Sequence, residues 1–110
     1  MAIGDDSGFE VQALTGLTAV GVTDSVILAG TNVTFQVTVA SIGTSIVVRM
    51  EGSLDDTNYF SLYDSTQSDT TITANGTYGF CLYSPIKFAR LRLVTVTGGT
   101  PTIATKIGAA

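Results

Sequence analysis

The chain has 110 residues, 45% of them hydrophobic and only 13% charged, with a net charge of −4 and a mean hydropathy of +0.40. A chain of this length makes one domain that hides roughly two-thirds of its unfolded surface, so it needs neither disulfides nor a metal to fold. Five Lys and Arg without a basic cluster are too few to neutralise a run of phosphates, and no apolar run approaches the roughly 20 residues of a membrane helix.

Residues 1–8 show no apolar periodicity and read as a flexible N-terminal arm, either frayed or ordered by a neighbour; residues 9–110 read as a single β-sandwich domain. Asp5 and Asp6 lie where a secretory signal needs a basic start, so no secretion signal is expected. Without one, the sequons at Asn32 and Asn75 read as chance in a Thr-rich chain. Residues 9–17 and 17–28 predict one or two irregular strands, broken by Gly16, Gly21 and Gly30.

From Val33 to Val39 apolar and polar residues alternate without a break, which predicts a half-buried strand with Val33, Phe35, Val37 and Val39 inward. Residues 45–52 predict another, with Ile46, Val48 and Met50 on one face and Val47, Arg49 and Glu51 on the other. Residues 58–63 predict a short aromatic strand. Asn75-Gly76 between residues 70–74 and 77–83 predicts a two-residue hairpin, with Tyr78, Phe80 and Leu82 on one face. Residues 87–97 predict a strand with Ala89, Leu91 and Leu93 opposite Arg90 and Arg92. Gly98-Gly99 is expected to turn it back into residues 101–106, with Pro101 at a strand start or sheet edge and Ile103 inward. The fold class is all-β: an antiparallel β-sandwich or jelly roll of about eight strands.

The chain has no histidine, so the usual general base and the commonest metal ligand are missing. Cys81, the single cysteine, has no His to activate it and reads as a small buried hydrophobe. No nucleophile elbow, P-loop or dinucleotide fingerprint occurs. No enzyme, cofactor or metal is therefore expected, and no catalytic residue is assigned. Ser53, Asp55, Asp56 and Asn58 place several oxygens in one loop. They read either as a Ca²⁺ site or as turn formers that bond their own backbone. Arg49 with Glu51, and Arg90 with Arg92, read either as ion pairs on a solvated face or as intersubunit contacts.

The string Glu51-Gly52-Ser53-Leu54-Asp55-Asp56-Thr57-Asn58-Tyr59, then Asn75-Gly76-Thr77-Tyr78 and residues 85–93 from Pro85 to Leu93, resembles a pattern of small virion proteins of tailed bacteriophages. The likeness covers roughly residues 46–107, with Asp56 where Gly is usual and Tyr59 where Trp is usual. It implies a capsid decoration (cement) protein of the virion surface, made in the host cytoplasm. Such a protein binds the major capsid protein as a homo-oligomer, a trimer, and touches neither nucleic acid nor membrane. A minor tail or neck protein is the alternative within the structural class. A carbohydrate-binding adhesin, suggested by a similar hairpin in discoidin-like sandwiches, would use Tyr59, Tyr63 and Tyr83.

Overall fold

A computed structural model of the chain describes residues 10–62 and 69–110; the proposed arm at 1–8 and Tyr63 lie outside them. The described chain is all-β and antiparallel. Its eight strands are β1 (Glu10–Ala13), β2 (Gly21–Val22), β3 (Val26–Ile27), β4 (Asn32–Ser53), β5 (Phe60–Ser61), β6 (Asp69–Ile72), β7 (Gly76–Tyr83) and β8 (Phe88–Ala109). They belong to a single sheet curled on itself.

The two 22-residue strands β4 and β8 form the spine and pair from Val33↔Ala109 to Ser53↔Phe88. At one end β1 flanks β8 and β7 flanks β4. At the other, β2 and β3 flank β8 while β5 and β6 flank β4. We call these the first and second halves. The inward set runs Val33, Phe35, Val37 and Val39 in the first half and Ile46, Val48 and Met50 in the second, all 2% exposed or less. Register shifts between Ala40 and Ile42 and between Ile42 and Ser45 move that set from odd to even numbers. Both halves consequently close on one core, joined from β8 by Ala89, Leu91, Leu93, Ile103 and Ile107. Each large side chain there contributes about 1.5–3 kcal/mol by leaving water.

The bend corrects two expectations about connectivity. The strands expected at 33–39 and 45–52 are one strand, β4, bulged at Ser41, whose φ is 56°. Gly98 and Gly99, at φ 69° and 65°, do not reverse the chain. They kink β8 opposite the β4 bulge, and β8 keeps the same partner on both sides of the kink. Pro101 sits inside β8 and not at its start, and is fully buried; among the described residues that stretch of β8 pairs with β4 alone, as the expected edge position requires. It needs no ladder bond there because it faces the interruption between Ala40 and Ile42.

Asn75-Gly76 also differs from expectation. β6 and β7 pair with opposite halves of β4 and not with each other, so the dipeptide turns a corner between the two halves. Asn75 Oδ1 accepts the Ile42 amide at 2.9 Å, which ties that corner to the β4 bulge. The aromatic strand expected at 58–63 is ordered as β5 over Phe60–Ser61.

Candidate interaction surface

The second half turns a charged face outward. Arg49 and Arg92 are opposite one another in the β4–β8 ladder, as are Glu51 and Arg90. Two arginines side by side would repel, but each has a carboxylate. Glu51 Oε1 accepts Arg90 Nε and Oε2 accepts Arg92 Nε, both at 2.8 Å. Asp69, opposite Arg49 on β6, accepts Arg49 Nε at 2.7 Å and Nη2 at 3.1 Å in a bidentate pair. Arg49 Nη1 also stands 3.9 Å from Glu51. The Glu51 side chain is only 6% exposed beneath these arginines. These are more than decorations of a wetted face: Glu51 is a buried anion with two charge-assisted bonds. The part of Asp69 carried no signal in the sequence, where it sits among Ser and Thr, because its role comes only from the β6–β4 register.

The loop after β4 locks onto this face. Asp55 Oδ1 accepts the amides of Thr57 at 2.9 Å and Asn58 at 2.8 Å and the Ser53 hydroxyl at 2.9 Å, while Oδ2 accepts Asn58 Nδ2. Those donors, first the Asn58 and Thr57 amides, hold the Asp55 carboxyl well below the usual carboxylate range. Asp56, at φ 60°, accepts the Tyr59 hydroxyl. That bond lowers the Asp56 pKa, and burial first, then Asp56, raises that of Tyr59. The Tyr59 ring then lies 3.7 Å from the Arg90 guanidinium carbon, a cation–π contact that fastens the loop over Glu51. The oxygens of Asp55 thus close the turn, the second of the two readings of this loop. Among the described residues no group of three or more His, Cys, Asp or Glu could hold a metal ion.

The first half turns outward a face of a different character. Thr34, Gln36 and Thr38 of β4 line up with Gly108, Lys106 and Ala104 of β8 and with Cys81, Gly79 and Thr77 of β7. Lys106 is the single charge among the described outward residues that those three strands contribute to the first half. A shallow depression of about 220 Å³ opens between Val11, Thr34, Gln36, Lys106 and Gly108, because Gly108 offers no side chain between Val11 and Thr34. Cys81 is exposed on this face and free, contrary to the buried position expected of it. The alternation that buries Leu82 turns its neighbour outward. The Thr34 hydroxyl donates to its sulfur at 3.6 Å.

Among the described residues, Tyr59 and Tyr83 do not form a common platform. Tyr59 has its ring face taken by Arg90 in the second half, while Tyr83, 73% exposed, ends β7 in the first.

The fold is that of a compact all-β protein built on two long, bent, antiparallel strands. A solved structure, that of the SPBc2 prophage-derived protein YomS, shares it with a TM-score of 0.61 over 99% of each chain, at 11% sequence identity. No protein-family model matches the chain, and no curated protein sequence does.

Proposed function

We propose that the chain is a non-catalytic structural protein of a tailed bacteriophage, a capsid decoration (cement) protein that binds the outside of the assembled shell as a homo-oligomer. Its partner is the major capsid protein, and its task is to hold contacts between capsid subunits. The observation that carries this reading is the outward face of the first half. It is broad, built from Thr, Gly, Ala and Gln, and has Lys106 as its one described charge. A face like that gives up little hydration when another protein covers it. The fold shared end to end with a prophage-derived protein supports the phage setting.

The test is co-sedimentation of the purified chain with shells that lack it. Saturable recovery with the shells, reduced by Thr34→Lys or Gln36→Lys on the proposed face, is the expected result. Recovery with tails or necks alone would instead support the minor tail or neck reading. The adhesin reading has less to rest on, since Tyr59 is engaged by Arg90.

A further inference from the structure

We propose that β7 is a self-pairing edge, along which two copies of this chain join antiparallel about a two-fold axis at Phe80. Residues Thr77 and Tyr83 of one copy then face Tyr83 and Thr77 of the other, and Gly79 faces Cys81.

Among the described residues β7 pairs with β4 alone, so its other edge is a row of backbone groups without a ladder partner. The phase of that row follows from one bond: the Ser84 amide donates to the Thr31 carbonyl at 2.8 Å. In an antiparallel ladder the direction alternates. Leu82, Phe80 and Tyr78 therefore turn their backbone groups toward β4, and Tyr83, Cys81, Gly79 and Thr77 turn theirs away from it. Natural sheets protect such edges with charge, proline, bulges or short length. The eight residues Gly-Thr-Tyr-Gly-Phe-Cys-Leu-Tyr contain no charge and no proline, and their pairing with β4 runs unbroken from Asn32↔Tyr83 to Val39↔Gly76.

The edge also leaves apolar surface open. Tyr78 and Phe80 pack against the core yet stay partly exposed, and Tyr83 is 73% exposed. A second copy fits this edge because it brings the same uncharged strand and the same outward-turned amides. Outward side chains must meet outward side chains across an antiparallel pair, which restricts the axis to a single residue. An axis at Gly79 would set two glycines together and leave Tyr83 beyond β7 of the other copy. An axis at Phe80 sets the two Phe80 rings together on the core side and covers each Tyr83 with Thr77. A Cβ placed at Gly79 would meet nothing within 4 Å, so the side chain of Cys81 from the other copy has room there. The joined sheet runs β1-β8-β4-β7 through its two-fold mate without an edge between them.

This inference deepens the oligomeric part of the decoration reading and replaces three-fold by two-fold contact at this edge. It can be tested without a shell, by sedimentation of the full chain. The native chain is expected to dimerise. Gly79→Pro, which removes an outward amide from each copy and leaves the β4 ladder intact, is expected to weaken the dimer on the order of ten- to a hundredfold, with a melting temperature equal to the native one when both are measured at a concentration where the native chain is monomeric. Gly79→Cys is expected to cross-link to Cys81 of the other copy when oxidised glutathione is supplied, since directly opposed residues lie about 5.5 Å apart, within disulfide reach. The same variant carrying Cys81→Ser is expected to stay uncrosslinked. A monomeric native chain, an oligomer indifferent to Gly79→Pro, or cross-linking that persists without Cys81 would overturn the proposal. Shell binding is scored separately: a dimer that ignores shells sinks the decoration reading alone, and a shell-binding monomer sinks the β7 pairing and the homo-oligomer while leaving shell binding in place.

Discussion

Gly43 and Gly98 meet backbone to backbone where the two long strands bend: a Cβ built on Gly43 would lie 2.3 Å from the carbonyl carbon of Gly98. The atom it meets is main chain, which has no rotamer to yield. Gly43→Ala is therefore expected to destabilise the fold by about 3 kcal/mol, at the upper end of overpacking costs. Thermal or urea unfolding checks this, and a melting temperature equal to the native one would show that the bend is not fixed by this contact.

Glu51 anchors the outward charges of the second half. Removing its carboxylate leaves Arg90 and Arg92 beside each other and frees the support beneath Tyr59. The arginines are 21% and 36% exposed, so water recovers part of the loss. Glu51→Ala is expected to cost about 2 kcal/mol, between the values for exposed and buried pairs. Arg92→Met in the Glu51→Ala background should then cost less than in the native chain, which a double-mutant cycle in urea measures.

Thr105 is 2% exposed, and its hydroxyl oxygen has no hydrogen-bond partner among the described residues. A buried hydroxyl left unpaired loses its hydration with nothing in return. Thr105→Val keeps the branched shape and is expected to raise stability by about 1 kcal/mol. A loss of stability in the same unfolding assay would mean that the hydroxyl is bonded in solution.

The acid limb of stability should report on the loop over Glu51. The folded pKa of Asp55 is depressed by the amides of Asn58 and Thr57. Its contribution is thus fully present above the unfolded value of about 3.9 and fades as pH falls through the folded one. Asp24 and Asp56 shift in the same direction, through the Thr15 amide and the Tyr59 hydroxyl. Asp55→Asn is expected to flatten the fall in melting temperature between about pH 4 and pH 2 relative to the native chain. An unchanged slope would show that Asp55 titrates alike in both states.

Most of the fold was legible because β periodicity is local. The alternation from Val33 to Val39, and that of Ala89, Leu91 and Leu93, assigned the inward faces that the structure has. What was illegible is pairing. Gly98-Gly99 and Asn75-Gly76 carry strong turn chemistry, yet whether such a pair reverses a strand, kinks it or turns a corner depends on what stands opposite. Here that is the bulge at Ser41, whose sequence, Ala-Ser-Ile-Gly, announces nothing. Glu51 was legible as a charge on a face. Its burial depends on Arg92 two rungs along β8 and on a loop that folds back to set Tyr59 on Arg90, both of which are tertiary facts. Cys81 follows a simpler rule: the alternation that buries Leu82 turns it outward, and that local pattern outranks the general frequency with which cysteine is buried.

The decoration reading is tested most directly by electron microscopy of the phage particle that carries this chain. Density of about 41 × 35 × 25 Å per copy is expected on the outer surface of the head, seated with the Thr34–Gln36–Thr38 face of the first half against capsid subunits. Density confined to the tail or neck, or a head surface bare of this fold, would contradict it.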